Sequence, residues 1–109
     1  MQALEKELET SLLGLYERWK AFGPPKNIFL RMVKKTADER LYKGPVGTVR
    51  FLLSKPSLTS GFIDIVRAGH RELTVEALLT QPKWKPLFTD WDDLCKKANA
   101  RLAQAKNSN

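Results

Sequence analysis

The chain contains one cysteine, Cys95, and one histidine, His70, among its 109 residues. A lone thiol cannot close an internal disulfide, and with a single imidazole beside it there is no soft-ligand set for a zinc site. Six glycines and six prolines are too few for a collagen-like or low-complexity chain. Apolar runs such as Ala77-Leu78-Leu79 are only a few residues long, so neither a membrane span nor a signal-peptide core is expected, and the cytoplasm is the expected location. Catalytic constellations are also missing. Ser57, Thr59 and Ser60 have no Ser-His-Asp order around them, and no Gly-rich phosphate loop is present. Asp64, Glu72, Glu76, Asp90, Asp92 and Asp93 form no metal-ligand pattern. The expectation is a non-enzymatic protein without metal or cofactor.

The residues present are patterned for helices. Leu4, Leu8, Leu12, Leu15, Tyr16, Trp19 and Phe22 recur at steps of three and four, which predicts an amphipathic helix over 2–22 stopped by Gly23-Pro24-Pro25. A second helix is expected over 26–37, with Ile28, Phe29, Met32 and Val33 inward and Arg31, Lys34 and Lys35 outward. Residues 37–43 fit either its continuation or a loop closed by Gly44-Pro45. Pro45 suits the first turn of a third helix, whose buried side is Val46, Val49, Leu52 and Leu53. A connector over 54–60 leads to a short helix over 61–68, capped by Ser60 and ended by Gly69. Thr74 caps a helix carrying Val75, Leu78 and Leu79, which stops before Pro82. Thr89-Asp90-Trp91-Asp92 reads as a capping box opening a final helix to about Lys106, with Trp91, Leu94, Cys95, Ala98 and Leu102 as its stripe. No window alternates with period two. The prediction is one all-α domain over 1–106, of five or six helices with a long first and last one, followed by a flexible tail at 107–109.

Leu15-Tyr16-Glu17-Arg18, Phe22-Gly23, Phe29-Leu30-Arg31-Met32-Val33, Gly61-Phe62, Gly69 and Leu73-Thr74-Val75-Glu76-Ala77-Leu78 occur in order, followed by Pro82, Leu87 and Phe88. In that order and spacing the chain resembles a widespread group of small bacterial helical proteins and terminal modules without an assigned activity. Ser60 to Phe88 is the most specific stretch. The group's Gly-Arg-Leu-Asp-Leu-like turn reads Gly69-His70-Arg71-Glu72-Leu73 here, and Val66-Arg67 stands in place of a Trp-Glu pair. The resemblance implies an all-helical single module and carries no activity with it.

Charge is the strongest functional signal. The net formal charge of +7 is uneven: residues 1–17 carry −3, residues 18–55 carry +8 and residues 56–109 carry +2. Arg31, Lys34 and Lys35 share a helix face, which Lys26, Arg40, Lys43, Arg50 and Lys55 could extend. Such a patch attracts nucleic-acid phosphate through charge and counterion release, with little sequence readout. An acidic protein partner is the alternative, and a solvated basic surface the plain one. Trp19, Phe22, Phe29 and Phe51 sit at core-like positions and are expected to pack rather than stack on bases. Pro82 to Phe88 offers a second candidate, an extended ridge presenting Trp84 between Lys83 and Lys85 to a partner. The bland reading of that segment is a loop pinned to the core by Trp84, Leu87 and Phe88. Oligomeric state is not legible in these residues.

Overall fold

A computed structural model describes residues 2–21, 27–35, 43–55 and 60–107. Six α-helices occur among them: α1 (Gln2–Trp19), α2 (Asn27–Lys34), α3 (Gly44–Ser54), α4 (Ser60–Arg67), α5 (Val75–Leu79) and α6 (Trp91–Asn107). Two 3-10 turns, Arg71–Leu73 and Pro82–Leu87, complete the order, and there is no strand among the described residues. The fold is all-α. Phe22, the stop at 23–25, Lys26, the 36–42 segment with Arg40, the connector residues 56–59 and the end of the tail at 108–109 lie outside the described residues.

The helices follow from their apolar spacing. Leu8, Leu12, Leu15, Tyr16 and Trp19 of α1 are buried together with Phe29 and Val33 of α2. Trp19 and Phe29 meet edge-on with ring centroids 4.7 Å apart. α3 is the central element, packed against α1, α2, α5 and α6. Its first turn is buried throughout, from Gly44 to Val49. Gly44 takes a φ of +83° there, a conformation open to glycine, and Pro45 follows in the first turn without forfeiting a helical hydrogen bond.

The turn between α4 and α5 forms as its residues predict. Gly69 has φ +86°, and its N–H donates to the Val66 carbonyl while the His70 N–H donates to that of Ile65. That pair of bonds is a Schellman closure, which satisfies carbonyls left over at the helix end. The Thr74 hydroxyl accepts from the Ala77 N–H at 3.1 Å and donates to the Arg71 carbonyl at 2.8 Å, so it caps α5 and closes the 3-10 turn together.

Two expectations are corrected. The last helix starts at Trp91, with the Leu94 N–H donating to the Asp90 carbonyl, so the capping position is Asp90 and not Thr89. The segment Pro82–Leu87 is a 3-10 turn and not an extended ridge. Proline's fixed φ is as compatible with a helical turn as with an extended one, and burial decides between them here: Trp84 is 1 % exposed and belongs to the main core with Leu79 and Phe88. Lys83 and Lys85 remain exposed.

Candidate binding surface

α2 is eight residues long, Asn-Ile-Phe-Leu-Arg-Met-Val-Lys, and carries no acidic side chain. Phe29 and Val33 anchor it to the core, which turns Ile28, Arg31, Lys34 and the following Lys35 to solvent. Arg31, Lys34 and Lys35 form no ion pair among the described residues, whereas Lys6, Lys20 and Lys83 do. Ile28, expected on the inward face of this helix, is instead 68 % exposed, the large hydrophobic side chain most open to water among the described residues. Ile28, Arg31 and Lys35 are spaced three and four apart, so one apolar side chain and two cations lie along one face.

Of the other basic residues expected to extend that face, Arg50, Lys43 and Lys55 lie among the described residues. The Arg50 guanidinium is held 2.8 and 3.0 Å from the Asp90 carboxylate, and it lies 5.6 Å over the Phe88 ring. It therefore ties α3 to the start of α6. This pairing holds the Asp90 carboxyl below its ordinary value. Lys43 is half-buried. The Lys55 ammonium lies 4.2 Å over the Phe51 ring. Of the ridge residues, Lys83 pairs with Glu7 and covers Trp84, and Lys85 lies 6.0 Å from the Trp91 ring.

Beside α2 a half-open cavity of about 190 Å³ lies between the first five helices. Ile28 stands at its rim, with Met32, Leu52, Phe62 and Val75 among its walls and Glu76 at its inner side. The lining is overwhelmingly apolar. Its size compares with engineered apolar cavities of roughly 150 Å³, which stay dry and admit a benzene-sized molecule.

Glu76 is the residue that sequence reasoning missed, together with its partner. Arg101 of α6 is buried, with its Nη1 3.1 Å from Glu76 Oε2 and 2.8 Å from the Leu52 carbonyl. Its Nη2 donates to the carbonyls of Leu53 and Lys55. One guanidinium thus satisfies both a buried carboxylate and the unpaired carbonyls at the end of α3. Burial pushes the Glu76 carboxyl above its ordinary 4.5, against the opposing pull of its own backbone N–H and of Arg101. The available signal was position: Arg101 falls on the stripe of Leu94, Cys95 and Ala98, where a charge is out of place unless paired.

The Cys95 thiol is buried 3.9 Å from the Leu79 carbonyl, and burial together with the Asp92 charge raises its pKa, which suppresses the nucleophilic thiolate. His70 Nδ1 lies 3.5 Å from Glu72 Oε1 on the turn after α4. Among the described residues no group of three His, Cys, Asp or Glu could hold a metal ion, and no helix is long and apolar enough to cross a membrane. No protein-family model matches the chain, and neither does any curated protein or solved structure.

Proposed function

We propose that the chain is a non-enzymatic protein-interaction module that receives an acidic protein partner on the exposed face of α2. The observation that carries this reading is the exposed Ile28 set beside the cations Arg31 and Lys35 at the edge of an apolar cavity. A phosphate backbone offers charge and little apolar surface, so it would leave Ile28 in water. An acidic protein segment with interspersed apolar residues would cover both. Stacking on bases has little support, because Trp19, Phe29 and Trp84 are all buried.

Nucleic-acid phosphate is the second reading, and the exposed Arg31, Lys34 and Lys35, which form no ion pair among the described residues, favour it. Both readings keep the protein in the cytoplasm, within the group of small bacterial helical modules it resembles. The test compares a Glu-rich peptide containing leucine with single-stranded DNA of matched charge, against the wild type and an Arg31→Glu, Lys34→Glu, Lys35→Glu variant. The protein reading expects tighter binding of the peptide and its loss in the variant. Preferential DNA binding with a steep salt dependence, flattened in the variant, would replace it with the phosphate reading.

A further inference from the structure

We infer that the cavity beside α2 is an anchor pocket for one bulky apolar side chain of an acidic segment in the partner, a proposal that rests on the protein-partner reading above. Ile28 and Met32, one helical turn apart on α2, line the cavity, and Lys35, just past the end of α2, follows Met32 at a helical step of three. Arg31 sits one turn from Ile28 on the same side. Leu52 and Phe51 of α3, Phe62 of α4 and Val75 of α5 add further wall, and Leu52, Phe62 and Val75 are fixed by packing in the core or against it.

Positive charge on the residues next to this cavity in α2 and beside Phe51 selects the flanks of the occupant. Arg31 and Lys35 are exposed and form no ion pair among the described residues, and the Lys55 ammonium stands over the ring of Phe51, which lines the cavity. The carboxylate in the cavity, Glu76, is already matched by Arg101 and by its own backbone N–H, so the pocket has no unmet demand for a cation. A segment with an apolar residue between acids therefore meets apolar wall at its centre and positive charge at its edges. The cavity's volume suits a leucine or a single aromatic ring, the kind of central, desolvated anchor on which interface energies concentrate.

The experiment uses the full chain and two synthetic Glu-rich peptides, alike except that one carries a central leucine where the other has alanine, with oligothymidylate as a third probe. The leucine peptide should bind on the order of tenfold more tightly or better, as expected for burying a side chain of that size. Met32→Trp, which fills the cavity while leaving every cation in place, should erase the difference between the peptides without abolishing salt-sensitive binding. Leu52→Phe reads the same quantity if Met32→Trp fails to fold, as judged by thermal unfolding. Equal, salt-sensitive affinity for both peptides overturns the anchor pocket and leaves the protein-partner reading standing. Failure of both peptides to bind overturns both, whether or not oligothymidylate binds.

Discussion

Individual residues carry much of this fold's precision. Thr74 is the cleanest case, because its hydroxyl serves α5 and the preceding turn at once. Thr74→Ala should lower stability by about 1 kcal/mol, read as a shift of the denaturant midpoint at unchanged slope. At Gly69 a Cβ would meet no atom within 4 Å, so the strain of its φ of +86° is the whole penalty. Gly69→Ala should cost roughly 1–2 kcal/mol, and Gly69→Val more, since a β-branched side chain is the least tolerant of that region. Both positions are legible in the sequence, because glycine after an apolar stripe and threonine before one have local, short-range meanings. Glu76 and Arg101 are not. Their significance arises only when residues 25 apart in the chain are brought to 3.1 Å.

Titration follows from the same residues. Asp90 is held below its ordinary 3.8 by Arg50, so the folded state binds its proton less readily than the unfolded chain does. Its contribution is present above pH 3.8 and is lost as pH falls through that value toward the depressed one. Glu76 has the opposite sign. With its folded pKa raised above 4.5, the folded state holds the proton longer, and stability declines as pH rises from about 4.5 through the raised value. Unfolding followed by denaturant across this range should show the decline in the wild type and its absence in Glu76→Gln.

At the scale of elements, α3 depends on α6 for its termination. Arg101 reaches three carbonyls at the end of α3 as well as Glu76. Arg101→Ala should therefore cost about 3–5 kcal/mol, because it strands a buried carboxylate along with those carbonyls. Pairing Arg101→Met with Glu76→Leu should recover part of that loss and no more, since the α3 carbonyls would still lack their donor. The helices themselves were readable from apolar spacing, as α1 and α6 show. The pinning of Pro82–Leu87 to the core through Trp84 was readable too, but its 3-10 form was not, because proline's fixed φ serves an extended chain and a 3-10 turn alike.

For the molecule as a whole, charge and apolar surface are segregated unevenly. The positive bias of residues 18–55 was visible in the sequence, but packing redistributed it by drawing Arg50 to Asp90 and leaving Arg31, Lys34 and Lys35 exposed. The cavity was not visible, because its walls come from five helices and each wall residue reads individually as core. The central claim is that the α2 face is the docking surface for an acidic, apolar-containing protein segment. Its most direct test is a two-dimensional NMR titration of the labelled chain with a leucine-containing Glu-rich peptide. The account predicts chemical-shift changes concentrated at Ile28, Arg31, Met32 and Lys35, with Leu52 and Val75 following. Changes confined to another basic surface, such as Lys96 and Lys97 on α6, or no changes at all, would contradict it.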